Sequence, residues 1–138
     1  MIKAKDFWNC LCNENEFKFF SGVPCAILNP LYNTMSSEFL HYIPAVNEDV
    51  ALSLVNAVFL TGVKSALLLS YESISKLDLR FNLDYDIRLF IIASSPKEEQ
   101  KFAGFNCVDL TDDLAGCVSK FANSKKSCIM FIGEGILV

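Results

Sequence analysis

Hydrophobic and polar positions switch between two periods along this chain. Ala4, Phe7, Trp8 and Leu11 repeat at i, i+3, i+4 and i+7, with Lys3, Lys5, Asp6 and Asn9 opposite. That spacing predicts an N-terminal helix, ended by residues 13–16. Residues 17–20 predict a short strand, and Ser21-Gly22-Val23-Pro24 a turn. Ile27, Leu28, Leu31 and Met35 predict a second helix, with Pro30 near its start, where the missing N–H is tolerated. Residues 39–46 predict the next strand. Glu48 to Leu60 is apolar on nearly every face, which predicts a buried helix, and Gly62 ends it. Residues 66–69 and 87–93 are continuous apolar runs, the pattern of strands covered on both faces. Ser95-Pro96-Lys97-Glu98 has the form of a capping box opening a short helix that stops at Gly104. Leu114, Cys117, Val118 and Phe121 predict a last helix capped by Thr111 or Asp112, and residues 128–132 a final strand.

Helix alternating with doubly covered strand predicts an α/β fold: a three-layer sandwich with a mostly parallel central sheet and helices on both faces. No repeat, low-complexity tract or Gly/Ser linker divides the sequence, so residues 1–138 are expected to form a single domain. Ligands of such sheets bind at the carboxyl ends of the strands. Two predicted loops stand there, at residues 21–25 and 46–49.

Composition sharpens the partners. Hydrophobic residues make up 52% of the 138 and charged residues 20%. That is apolar enough to expect part of the surface to be covered by another copy or another chain. A net charge of −4 without a basic block argues against a nucleic-acid surface. The longest apolar runs are broken by Asn56, Gly62 and Lys64, so no bilayer span is expected. The N-terminus leads into an amphipathic pattern and not a signal sequence, which makes the cytoplasm the default location. The six cysteines lie mostly within apolar patterns, where they act as small hydrophobes. With a single histidine, His41, and no CxxC, a zinc site is not expected.

Signatures for nucleotide phosphates (GxGxxG, GxxxxGK[ST]) and for a GxSxG nucleophile elbow are absent from the sequence. The informative pair is Asn47-Glu48, a carboxylate between two apolar elements. Desolvation there disfavours the charged form, and such carboxylates collect at functional sites. An ordinary reading stands beside this one: Asn47 as N-cap and Glu48 as a first-turn carboxylate favoured by the helix dipole. Gly22-Val23-Pro24-Cys25 reads either as a plain strand-to-helix turn or as a loop bringing N–H groups to an anionic ligand. Cys25 is a packing residue or a reactive thiol at a helix start. His41 reads as structural. Ser70, Tyr71, Glu72 and Ser73 form a polar cluster after an apolar strand, a site-like position that solvated loops also occupy.

Two segments carry a family resemblance. Phe20-Ser21-Gly22-Val23-Pro24-Cys25-Ala26-Ile27-Leu28-Asn29-Pro30-Leu31 resembles the first motif of the phosphonopyruvate and sulfopyruvate decarboxylases. Tyr42-Ile43-Pro44-Ala45-Val46-Asn47-Glu48-Asp49-Val50-Ala51-Leu52 resembles their second. The resemblance implies a Rossmann-like pyrimidine-binding (PYR) domain, carried as a separate alpha subunit of a thiamine-diphosphate-dependent 2-oxo acid decarboxylase. It implies that Glu48 hydrogen-bonds the cofactor's aminopyrimidine nitrogen and promotes its imino tautomer, the cofactor then serving as electron sink for loss of CO2. Asn47, Ser70 and Tyr71 would lie by the cofactor, and Gly22, Val23, Pro24 and Cys25 by the substrate. The sequence holds no Gly-Asp-Gly motif for Mg2+. A diphosphate-binding (PP) beta subunit would supply that metal site across the interface of a homo- or hetero-oligomer, to which the apolar helix at 50–60 would contribute. Family members often have Asp-Ser where this chain has Cys25-Ala26. They have Gln-Asn-Ser-Gly-Leu-Gly-Asn where it has Ser70-Tyr71-Glu72-Ser73-Ile74-Ser75-Lys76, and Arg-Gly where it has Ser94-Ser95. Loss of those glycines hinders close backbone approach to a ligand. A different 2-oxo acid, or a diverged non-catalytic subunit serving in binding or assembly, are the alternatives.

Overall fold

Strand segments that are apolar on both sides can be buried only between two other layers, and the chain builds that arrangement. In a computed structural model, which describes residues 1–38, 40–96 and 102–138, six strands pair in parallel in the order β2-β1-β3-β4-β6-β5. They are β1 (Phe17–Gly22), β2 (His41–Pro44), β3 (Lys64–Leu69), β4 (Phe90–Ser94), β5 (Asn106–Asp109) and β6 (Cys128–Ile132). Among the helices are α1 (Ala4–Trp8), continued by a π-helical turn at Asn9–Glu14, and α2 (Asn29–Tyr32), entered through a 3-10 turn at Ala26–Leu28. They are followed by α3 (Glu48–Leu60), α4 (Tyr71–Ile74), α5 (Arg80–Asp84) and α6 (Leu114–Ala122).

Side chains of the central strands alternate between two cores. Ala66, Leu68, Phe90, Ile92 and Met130 face one core, closed by Phe7, Trp8 and Leu11 from the N-terminal helix, Leu28 and Leu31 near α2, and Val118 and Phe121 of α6. Leu67, Leu69, Ile91, Ala93 and Ile129 face the other, closed by Ala51, Leu52 and Val55 of α3 and Ile74 of α4. In the first core Phe17 sits edge-on to Phe90 at 5.2 Å and stacks on Phe121 at 5.5 Å. Full burial of each such large side chain stabilises the fold by roughly 1.5–3 kcal/mol. The three layers are therefore held by contacts that run through the sheet from both faces. Among the described residues no helix is long and apolar enough to cross a membrane.

Several boundaries differ from the sequence pattern, each for a local reason. β1 runs on to Gly22, because Ser21 and Gly22 still pair with both β2 and β3. β2 covers only His41–Pro44; it is an edge strand whose last paired residue, Pro44, lacks an N–H to continue the ladder. Phe39, at the start of that predicted strand, lies outside the described residues. The predicted second helix is a 3-10 turn followed by a single α-turn, and Met35 lies beyond it. β4 begins at Phe90 and not at Ile87, since the preceding Leu89 N–H goes to the Ser127 hydroxyl at 2.8 Å. α6 is capped by Asp113, whose Oδ1 accepts the Gly116 N–H at 3.1 Å, and not by Thr111 or Asp112. The capping box at Ser95–Glu98 and the helix it would open fall largely on residues 97–101, outside the described residues. The helix α3 is buried on one side only: Val50 is 42% and Leu60 59% exposed.

The strand order creates a crevice. The connection from β1 to β2 packs on the first core through Leu28 and Leu31, and the connection from β3 to β4 on the second through Ile74. Neighbouring strands β1 and β3 thus send the chain to opposite faces, and their carboxyl ends flank the gap where such sheets bind ligands. α3 crosses above β1 and β3 on the second face, which brings its first turn to the same gap.

Candidate functional site

Only residues 45–47 separate the end of β2 from α3. Ala45 N–H donates to the Gly22 carbonyl at 2.9 Å, tying this short loop to the end of β1. Asn47 has extended backbone angles and its Oδ1 accepts the Val50 N–H at 3.0 Å. It is the N-cap, and Glu48 is the first helical residue. The Glu48 side chain is 14% exposed. Its Oε1 accepts the Ser73 hydroxyl at 3.0 Å, and the Lys76 ammonium lies 3.8 Å from the same oxygen. Among the described residues no hydrogen bond reaches Oε2.

The partners of Glu48 come from the turn after β3. Ser70 is the N-cap of α4, its hydroxyl accepting the Ser73 N–H at 3.3 Å and lying 3.1 Å from the Ser73 hydroxyl. Tyr71 points elsewhere. Its N–H donates to the Ser94 hydroxyl at 2.9 Å, and its ring packs 5.8 Å from Phe102 and 6.4 Å from Phe131, in the second core. Of the residues singled out at 70–73, Ser73 touches Glu48 and Ser70 reaches it through Ser73. Lys76 was not singled out from the sequence. Its signal was the spacing 70, 73, 76, which places three side chains on one side of a helical turn.

The loop after β1 lies across the crevice. At Gly22 a Cβ would run into the main-chain oxygen of Leu68, so the glycine is required by the close approach of β1 to β3. Val23 packs on the second core and Pro24 is exposed. Cys25 N–H donates to the Tyr32 hydroxyl at 3.3 Å. Burial pushes the Cys25 thiol up, against the downward pull of the Leu28 backbone and the Tyr32 hydroxyl, and the charge of Glu72 adds to the rise. Cys25 packs against the first core, and its thiol is shifted away from the ionised form. Tyr42, on β2, stacks loosely on Tyr32 at 5.8 Å; its buried hydroxyl has no partner among the described residues. His41 is exposed on the edge strand.

A cavity of about 490 Å³ lies on the outer flank of α3, lined by Asp49, Ser53, Ala57, Leu60, Asp78 and Phe81 among others. Glu48 does not line it. The Asp78 N–H donates to Asp49 Oδ1 at 3.1 Å across its rim.

No protein-family model matches the sequence, and no curated protein sequence matches it. In fold the chain is similar to a 2-oxoglutarate:ferredoxin oxidoreductase from Magnetococcus marinus, solved with 2-oxoglutarate, coenzyme A and succinyl-CoA bound. The TM-score is 0.71 at 12% sequence identity, over 98% of this chain and 29% of that one. The chain has an α/β, Rossmann-like fold. It spans less than a third of that enzyme's length.

Proposed function

We propose that this chain is the pyrimidine-side half of a thiamine-diphosphate site, serving as the alpha subunit of a 2-oxo acid decarboxylase of the sulfopyruvate or phosphonopyruvate type. The observation that carries this reading is Glu48: a carboxylate at the carboxyl end of a parallel sheet, with one oxygen held by Ser73 and the other without a hydrogen bond among the described residues. Such a group fits an aminopyrimidine ring nitrogen, which needs one oriented oxygen with which to share a proton. Glu48 would hold that nitrogen. Asn47, by capping α3, fixes where Glu48 starts. Ser70 would wall the cofactor side, with Tyr71 bracing its turn from behind through Ser94, and Gly22, Val23, Pro24 and Cys25 would wall the substrate side. When bound, the cofactor supplies an electron sink for departure of CO2.

The diphosphate and Mg2+ belong in this reading to a beta subunit carrying Gly-Asp-Gly. The exposed apolar side of α3 and its approach, with Val46 at 89%, Val50 at 42% and Leu60 at 59%, supports a covering chain there. The 2-oxoglutarate bound to the enzyme of similar fold is a 2-oxo acid, which supports the substrate class.

One observation favours a second reading. Lys76 stands 3.8 Å from Glu48, on a turn where the resembling family has glycines. A chain whose carboxylate is kept by its own cation would be a diverged subunit used in binding or assembly.

The test is CO2 release from 2-oxo acids by this chain co-expressed with its beta partner, with thiamine diphosphate and Mg2+. Glu48→Gln is expected to lower turnover by about 100-fold or more, the scale of lost proton transfer. Unchanged turnover removes Glu48 from the chemistry. If the pair neither binds cofactor nor acts on any 2-oxo acid, the second reading stands.

A further inference from the structure

The turn after β3 orders the hydroxyls of Ser70 and Ser73 into a line that ends on Glu48. Each hydroxyl has one proton to give and lone pairs to receive. The Ser73 hydroxyl donates its proton to Glu48 Oε1 at 3.0 Å. That leaves the Ser73 lone pairs to receive the Ser70 proton at 3.1 Å. The polarity is consistent along the line, and bonds arranged head to tail strengthen one another.

The line is also anchored. Ser73 is 7% and Ile74 3% exposed, and the Tyr71 N–H fixes the turn to β4 through Ser94 at 2.9 Å. Lys76 differs: its side chain is 66% exposed and 3.8 Å away, so it contributes charge but little direction. A glutamate at the first position of a helix has three rotatable bonds and, without a fixed donor, would spread over several rotamers. Here one oxygen is pinned by a buried group, and the position of the other follows from it.

We propose that Ser73, supported by Ser70, is a positioning residue for Glu48: it fixes Oε1 and so determines where Oε2 is offered to the cofactor ring. The assignment rests on the function proposed above for Glu48.

Two measurements test it. In the co-expressed pair, Ser73→Ala is expected to lower kcat about tenfold while leaving KM for the 2-oxo acid within about twofold, the scale of a lost hydrogen bond to a charged group. Ser73→Thr, which keeps the hydroxyl, recovers most of the loss, and Lys76→Met has a smaller effect than Ser73→Ala. Equal losses in the Ala and Thr variants, or none in Ser73→Ala, overturn the proposal. The second measurement needs no activity. In urea unfolding of the 138-residue chain, Ser73→Ala and Glu48→Ala are expected to be coupled, the double variant losing less than the two single losses together. Additive losses overturn the proposal whatever turnover shows. If Glu48→Gln leaves turnover unchanged while this coupling is present, the proposed function fails and the Ser73–Glu48 bond stands.

Discussion

A methyl group at position 22 would strike the Leu68 main-chain oxygen, while one at position 62 would meet nothing within 4 Å. The two glycines are thus required for different reasons. Gly62 has φ +93°, a backbone conformation that L side chains rarely adopt, and its replacement strains only the local chain. Gly22 lies between β2 and β3 in the sheet, where neither neighbour can yield without breaking its pairing. Gly22→Ala is therefore expected to lose about 1–3 kcal/mol in urea unfolding, in the range of overpacked interiors. A variant with wild-type stability would show that β1 and β3 separate freely at their carboxyl ends. At this scale Glu48 was legible because a carboxylate between apolar segments stands out. Ser73 was legible only as a member of a polar cluster, since nothing in the sequence tells which of four adjacent polar residues turns inward. Lys76, a surface cation by pattern, could not be distinguished from any other lysine.

At the scale of elements, α3 shows how an apolar run misleads. Its sequence is apolar nearly all round, yet one side faces outward in this chain, as Val50 and Leu60 show. Asn56 looked like an interruption of the run. It is 6% exposed and pairs reciprocally with Asn82 of α5, at 2.8 and 2.9 Å, while Asn82 also reaches the Ile87 carbonyl at 3.1 Å. The two largely buried amides satisfy each other, and so link α5 to α3. Asn82→Ala leaves the Asn56 amide without that partner and is expected to cost about 1–3 kcal/mol in urea. With Asn56→Ala added, the further loss should be small, because the orphaned group has gone. Strictly additive losses would mean that the pair does not act as a unit. α4, α5 and β5 were not read from the sequence. α4 and α5 are too short to show a period, and β5 is a largely exposed edge strand without an apolar run.

For the whole molecule, closure of the first core shows in its thiols. Burial pushes Cys10 up to about 11, with Glu14 adding to the rise, and Cys12 up to about 12 despite the downward pull of Lys18. Burial likewise takes Cys128 to about 11, against a hydrogen bond from Ser124 that lowers it. In the unfolded chain a thiol ionises near pH 8.5. Above that pH the unfolded state releases protons that the folded state keeps, so stability falls as pH rises. These three thiols contribute stability that is complete below about pH 8.5 and lost between there and pH 11–12. The urea midpoint of the reduced protein is expected to be insensitive to these thiols from pH 7 to 8 and to drop steadily above pH 9. Cys12→Ala should flatten part of that drop. A midpoint that holds to pH 11 would mean that the thiols ionise in place and the core is open to water.

The layers of this protein were determined by its sequence alone. Short runs apolar on both sides form the inner strands β3, β4 and β6, the amphipathic N-terminal segment forms an outer helix, and an Asn before an apolar run with a free N–H three residues on starts a helix. These are properties of short stretches, and they hold wherever the stretch is placed. The order β2-β1-β3-β4-β6-β5, the edges and the crevice between β1 and β3 were decided by tertiary structure. So was the company of Glu48. Its hydrogen-bonding partner is 25 positions away, beyond a helix and a strand. Pairing between distant segments depends on how whole layers pack, and no local pattern encodes which polar side chain the packing turns toward a carboxylate.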